Sequence, residues 1–455
     1  MPGRRGRSRK EDEVRRIAIV GAGQAGLQLA LGLLDAGYDV TLVADRPPEE
    51  VRGGRVTSTQ LMFGPALRLE RAAGLALWDD TAPVMPGFEL STWDPEAEPR
   101  APVRRFAARF DDEVRSVDQR VKLAAWLELF QERGGRPEYR SVGPADVGAL
   151  AAAHELTVLA TGRGELSALF APDPTWPRHD RPARTLACFY VRGAAHDGSD
   201  PAAAYVRTTG VPTTGDVIVM RALTVGGPCD ILLFEGKWGG AFDCWADRPS
   251  AADGLRRALG LLRTYAPWEY ERFRAAEPTD AGAALYGGVT PAVRRPVAHV
   301  DGGRAVLGLA DAVAVHDPIT GQGANNAARA ASGYLAAIRE RGELPFDEAW
   351  MRRTFAAYWD GARHTHAFTE FMLREPQPDH ARRVLDAAFD EPEVAHRFAN
   401  GYADPPSYGP WLLDPAGAEA YLARFARGRD ASGSSAPRDS TDSADSPGPS
   451  GASSA

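Results

Sequence analysis

Cysteine is scarce: three residues in 455, Cys188, Cys229 and Cys244, none in CxxC spacing. That excludes a disulfide framework and a cysteine-built zinc site, and it points to a reducing compartment, so the protein is expected in the cytoplasm. The nine histidines are scattered without HxxxH or HExxH spacing, which leaves no metal motif. No apolar run approaches the roughly 18 residues that span a bilayer, and the N-terminus has no signal-peptide core. No membrane association is expected. Basic residues are outnumbered, 53 Lys and Arg against 61 Asp and Glu, for a net charge of −8. A nucleic-acid surface needs the opposite sign. Internal repeats are absent.

What remains is an ordinary globular balance, 44% hydrophobic and 25% charged, enough for two closely joined domains. The most informative stretch is RRIAIVGAGQAG, Arg15 to Gly26. Ile17, Ile19 and Val20 suit a buried strand, and Leu27, Leu29, Leu31, Leu33 and Leu34 begin a helix. Between them Gly21, Gly23 and Gly26 stand in GxGxxG spacing. Gly21 permits the turn, Gly23 lets a diphosphate reach the backbone, and Gly26 lets the helix lie close to the strand. Asp45 ends a second strand, Tyr38 to Ala44, where an acidic side chain accepts from ribose hydroxyls. A structural βαβ turn would read alike, and NAD and FAD both fit.

Further along, Arg46 to Arg55 reads as a Pro- and Gly-rich loop, and Val56 to Ala72 becomes helical after Pro65. Glu89 to Phe110 suits strands, and Asp118 to Arg133 is a helix stopped by Gly134 and Gly135. Leu156 to Ala160 is a buried strand running into Thr161–Gly162. Thr185–Arg192, Ala204–Arg207, Asp216–Leu223 and Cys229–Gly236 read as consecutive strands, hence an antiparallel sheet. Leu255 to Phe273 is helical with an interruption at Pro267. Val306 to Leu309 is a strand, Asp311 follows it, and Asp317–Pro318, Gly321 and Gly323 precede an Ala-rich helix. Asp347–Arg374 and Glu391–Phe425 read as packing helices. The head (1–14) and the tail (428–455) lack any core-forming pattern.

The fold class is therefore α/β, α+β overall: a Rossmann-type FAD-binding domain, an inserted antiparallel-sheet substrate domain and C-terminal helices. The expected division is 15–75, 112–175 and 285–345 for cofactor, 76–111 and 176–284 for substrate, and 346–427 for the helices. An NAD-only domain keeps its parts within about 150 residues. Here the glycine turn, the Ala160–Gly162 turn and DPITGQGAN spread over about 300, as an extended FAD site requires.

On IAIVGAGQAGLQLALGL, VTLVADRPPEE, LTVLATGRG and GLADAVAVHDPITGQGANNA, the chain resembles the epoxidase component of two-component styrene/indole monooxygenases from about Arg16 to Phe425. That family has the p-hydroxybenzoate hydroxylase type of FAD fold. The resemblance implies Gly21, Gly23, Gln24, Ala25, Gly26, Asp45, Arg46, Arg55, Thr161 and Gly162 at the cofactor, with Asp311 by the ribityl chain. It puts Pro318, Gly321, Gln322, Gly323 and Asn325 beside the flavin ring. Ser58, Gln60 and Met62 match the indole branch, which favours an indole-type substrate. Ser58, Gln60, Pro318 and Gly321 are then the catalytic positions, and Met62 and Phe88 the substrate pocket. An alternating strand would also explain Ser58, Gln60 and Met62.

The implied reaction uses FADH2 and O2 through a C4a-hydroperoxyflavin to epoxidise or hydroxylate the indole C2=C3 bond. Ala160–Gly164 lacks the Asp-Gly pair of single-component hydroxylases, so a transient flavin reductase is expected to deliver the reduced flavin, with NAD(P)H used only there. No WxWxIP segment of the halogenases is present. Styrene epoxidation, sulfoxidation and a self-sufficient hydroxylase are the alternatives, and a homodimer is compatible with all of them. His316 is either a proton-transfer group or a loop histidine without a task.

Overall fold

The computed structural model describes residues 14–93, 102, 104–162, 164–196, 198 and 200–433. The basic head up to 13 and the tail from 434 lie outside the described residues, as does Arg163.

The chain opens with β1 (Arg16–Val20), α1 (Gln24–Asp35) and β2 (Asp39–Ala44). A short helix, α2 (Pro48–Arg52), replaces the expected loop. Pro48 occupies its first turn, where no N–H is needed, with Glu49 and Glu50 at the positive end and Arg52 at the negative one. β3 (Leu61–Phe63), α3 (Gly64–Ala72), β4 (Met85–Thr92) and β5 (Arg104–Ser116) follow. α4 (Gln119–Glu132) is capped by Asp118, which accepts from the Arg120 N–H at 2.9 Å. β6 (Arg136–Tyr139), α5 (Pro144–Ala153) and β7 (Leu156–Leu159) return the chain to the first sheet.

Then come β8 (Thr185–Arg192), β9 (Val206–Val211), β10 (Gly215–Thr224) and β11 (Gly227–Gly236). β9 starts later than expected because Pro201–Ala204 forms a 3-10 turn capped by Asp200. Pro267 divides the next helical stretch into α6 (Ala251–Tyr265) and α7 (Pro267–Phe273). Short strands β12 (Glu277–Pro278), β13 (Ala284–Gly287), β14 (Ala292–Val293), β15 (Val297–Val300), β16 (Arg304–Gly308) and β17 (Ala314–Val315) precede the last helices. These are α8 (Gly323–Arg341), α9 (Glu348–Met372), α10 (Asp379–Asp390), α11 (Pro392–Gly401) and α12 (Pro415–Gly433). α12 runs past the expected start of the tail at Gly428.

Two sheets organise the molecule. The first has the order β15-β16-β7-β1-β2-β6, parallel except at β15. Ile17, Ile19, Leu27, Leu42 and Trp126 fill one face, and Ala18, Val20, Val43, Leu159 and Val306 the other. Burial on both faces is why its strands read as unbroken apolar runs. The second sheet runs β12-β8-β11-β10-β9-β4-β5-β3, with β13 also on β8. It is antiparallel except where β4 meets β9, because those strands come from separate excursions and share no hairpin. It claims β3 and the end of β5, which the expected boundaries placed with the cofactor domain.

Alternation gives the second sheet two characters. Phe189, Val191, Leu232 and Phe234 pack under α6, whereas Cys188, Tyr190, Ile231 and Leu233 face the aromatic cluster of the C-terminal helices. Ser250 caps α6, its Oγ accepting from the Asp253 N–H at 3.1 Å. Ser250→Ala should cost about 1 kcal/mol and lower the thermal midpoint by about 2 °C in a chain of this size. A calorimetric midpoint equal to wild type would show that the cap contributes nothing.

Candidate active site

The two sheets enclose a cleft of about 960 Å³, and the N-termini of α1 and α8 open onto it. Neither helix has a side-chain cap or an acidic residue in its first turn. Both therefore offer backbone N–H groups and positive dipole ends to whatever fills the cleft.

At one end Gly21 turns with φ +112°, where a Cβ would stand 2.6 Å from the Ala160 carbonyl oxygen. A Cβ on Gly26 would overlap the Gly21 carbonyl, so Gly26 acts in packing and does not line the cleft. Gly23 has nothing within 4 Å of its Cβ position. Gln24 reaches away with its amide, donating to Glu70 at 2.7 Å, while the buried Lys122 holds the same oxygen at 2.7 Å. Asp45 and Arg46 form a 3.4 Å ion pair at the end of β2, and Arg55 stands on the rim. In the middle, Thr161, Gly162 and Asp311 line the cleft together, and a Cβ added at Gly162 would stand 4.0 Å from Asp311 Cβ.

At the far end the wall is Pro318, Gly321 and Gly323, facing Ser58 and Gln60. Asp317 Oδ1 accepts from the Ile319 N–H at 3.1 Å and so fixes the Pro318 turn. Ser58–Gln60 is a loop, not an alternating strand. Gln60 has φ +50° and is 2% exposed. Tyr190 Oη donates to Ser58 O at 2.7 Å and Ser116 Oγ to Thr59 O at 2.6 Å, so the second sheet clamps the loop from both sides. The Gln60 amide oxygen is buried without a partner.

Besides Gly26, four predicted residues stand off the cleft. Gln322 is fully buried and donates to Tyr402 O at 2.7 Å, away from the cavity. Asn325 is a strut: it donates to Leu61 O and Gly321 O and accepts from Phe63 N–H, each at 2.8 Å. Met62 is turned the other way, against Ala66, Leu67 and Ala328, because the pleat of β3 alternates its side chains. That placement corrects the expectation that Met62 lines a substrate pocket. Phe88 lines a small apolar cavity of about 30 Å³ with Phe63, Phe110, Ile218, Met220 and Tyr402. This cavity shares Thr59, Leu61, Leu233, Pro318 and Gly321 with the cleft.

Other residues on the wall carry no motif. Arg140, Ser141 and Arg248 join it from loops, and Leu186, Cys188 and Leu233 from the second sheet. Only the β8 and β11 alternation hinted at the last three. His316 is on the wall and 6% exposed. Burial, with His366 and Arg329 nearby, lowers its pKa to about 3, so it is neutral. Burial raises Asp317 to about 6, against the pull of its Ile319 N–H bond and Arg184.

An extended dinucleotide fits this arrangement: open space before Gly23, uncapped helix ends at both termini, and the buried unpartnered Thr161 Oγ1 between them. Residues 162–272 match a family model described as "Styrene monooxygenase A putative substrate binding domain". Styrene monooxygenase StyA from Pseudomonas fluorescens is 30% identical over 415 residues, covering 87% of this chain and 97% of that protein. StyA from another Pseudomonas species is 28% identical with the same coverage. Among solved structures, a flavoprotein/dehydrogenase from Cytophaga hutchinsonii aligns with a TM-score of 0.60 at 14% identity, covering 91% of this chain and all of the other. The flavin-dependent brominase Bmp2 aligns at 0.59 and 13%, covering 90% and 99%. At such identities the structures speak for the fold alone. On the sequence match to its relatives, the chain is an FAD-dependent monooxygenase belonging to the styrene monooxygenase StyA family.

Proposed function

We propose that this protein is the oxygenase of a two-component system and oxygenates the C2=C3 bond of an indole-type substrate. Bound reduced FAD supplies, with O2, an electrophilic oxygen. The chain's part is to bind, orient and exclude water. Gly21, Gly23, Gln24 and Ala25 would hold the diphosphate at the α1 N-terminus, and Asp45 the ribose, flanked by Arg46 and Arg55. Thr161, Gly162 and Asp311 would hold the ribityl chain. The N-terminus of α8 at Gly323, reached through Gly321, would set its positive dipole end against the anionic edge of the reduced ring. Pro318 and Gly321 stand where the cleft meets the small apolar cavity around Phe88, and an aromatic substrate would lie in the cleft against that junction.

One observation carries the indole assignment: Gln60 is a residue of the cleft wall, and its amide oxygen is buried without a partner. Indole brings an N–H that satisfies it, and styrene brings none. Ser58 is a positioning group, its Oγ accepting from the Gln60 N–H at 3.2 Å. Delivery of already reduced flavin is supported by the missing Asp-Gly pair at Ala160–Gly164. The three cysteines are free, in keeping with the cytoplasm. Styrene epoxidation is the second reading, favoured by the names of the relatives and the apolar lining of the Phe88 cavity.

Turnover of indole and styrene side by side, with a supplied flavin reductase, tests the assignment. Indole should lead in kcat/KM by at least about tenfold, the factor that about 1.4 kcal/mol of hydrogen bonding supplies. A preference for styrene sinks the indole reading. Rapid NADPH oxidation by the chain alone sinks the two-component one.

A further inference from the structure

Behind the cleft lies a line of ionisable groups that none of these roles uses. His316 is on the cleft wall with both ring nitrogens buried and unpartnered. Its ring meets that of His366, on α9, edge to face with centroids 5.7 Å apart. His366 Nε2 is likewise buried without a hydrogen bond and lies 4.0 Å from Glu370 Oε1, one turn along α9. Both Glu370 oxygens stand 3.0 Å from His179 Nε2. The His179 side chain is 28% exposed. The series thus begins at the cleft and ends in solvent.

Its surroundings favour passage over storage. Trp176 and Trp359 flank His366, with centroids 5.0 and 6.0 Å away, and shield it from water. Burial lowers His366 to about 4, as it lowers His316 to about 3, so each ring is neutral at pH 7. A neutral imidazole has one N–H and one lone pair, which lets it accept on one nitrogen and donate from the other. Arg329 is near His316, and Asp317 feels the charges of Glu370, His179 and Arg184. A buried polar group left unpaired costs about 1–3 kcal/mol. Three such nitrogens in one line between a cofactor cleft and the surface are not accounted for by packing.

We propose that His316, His366, Glu370 and His179 form a proton path between the cleft and the surface. Each transfer makes one N–H or O–H bond and breaks one, and no electrons move. Two steps are open in this structure, His316 to His366, which share no hydrogen bond, and the 4.0 Å step to Glu370; rotation of the two rings closes them. The proposal rests on the flavin reading of the cleft. Reduced flavin supplied as its monoanion, O2 and an alkene balance to oxidised flavin, oxygenated product and water only when one proton is taken up. A site that excludes water needs a route for that proton.

The test mixes protein loaded with reduced FAD against O2 by stopped flow, without organic substrate, in weak buffer containing phenol red. The dye reports proton uptake, and flavin absorbance reports oxidation. In wild type the two traces should coincide. In Glu370→Gln and His179→Gln, uptake should slow at least tenfold, and added imidazole should restore it in His179→Gln. Fluorescence titration should keep FAD affinity within twofold in both. Wild-type uptake in both variants overturns the path, and so does a loss of FAD affinity in place of slower uptake. Failure of wild type to bind FAD overturns the flavin reading and the path together.

Discussion

Gly23→Val should weaken FAD binding about a thousandfold while leaving the thermal midpoint within about 2 °C of wild type. Gly23 has φ −80° and ψ −175°, extended backbone that any residue adopts. Nothing lies within 4 Å of its Cβ position, so the substitution meets no protein atom and costs the fold little. The same open space is the approach to the N–H groups of the first turn of α1. A valine there denies the diphosphate two charge-assisted hydrogen bonds of about 1.5–3 kcal/mol each. A loss near 4 kcal/mol is about a thousandfold in Kd. Gly26→Val is the contrasting variant. Its side chain would collide with the Gly21 carbonyl and part α1 from β1, so stability falls along with binding. Fluorescence titration and calorimetry on both variants separate recognition from folding. FAD binding by Gly23→Val within tenfold of wild type would move the diphosphate away from this turn.

The cofactor end was legible because its chemistry depends on backbone. Gly21, Gly23, Gly26, Thr161, Gly162 and Gly321 are needed for how close the chain can come to a ligand, and such needs leave motifs in sequence. All but Gly26 line the cleft. The substrate end depends on side-chain direction, which a one-residue change in strand phase reverses. Met62 was misplaced for that reason: its neighbours Leu61 and Gln60 line the cleft, and the pleat of β3 sends Met62 behind it. Asn325 belongs to the motif yet serves as a strut, because both N–H donors of its buried amide are spent on backbone carbonyls and its oxygen already accepts from Phe63 N–H. Arg248 and Cys188 reach the wall through tertiary packing and carry no local signal. Among the elements, β6 and α5 escaped notice because RPEY does not alternate and PADVGALAAA has few large apolar residues.

Gln60→Met should lower kcat/KM for indole about a hundredfold, leave that for styrene unchanged or higher, and not reduce stability. Methionine keeps the length and bulk of glutamine and removes the acceptor. The strained φ of +50° is held by the loop clamps from Tyr190 and Ser116, which the substitution does not touch. In the free protein the amide oxygen is buried and unpaired, so its loss relieves a penalty of about 1–3 kcal/mol. With indole bound the balance inverts. The N–H is then left unpaired against the Gln60 stretch of the cleft wall, at a cost near 3 kcal/mol, or about a hundredfold. Styrene has no donor to strand, so its rate constant reports whether FAD and O2 chemistry are intact. The deciding measurement is the ratio of the two kcat/KM values, with FAD affinity as a control. Equal losses for both substrates would place the Gln60 amide on the flavin and not on the substrate N–H. A fall confined to indole makes this one side chain the gate between the two substrate classes.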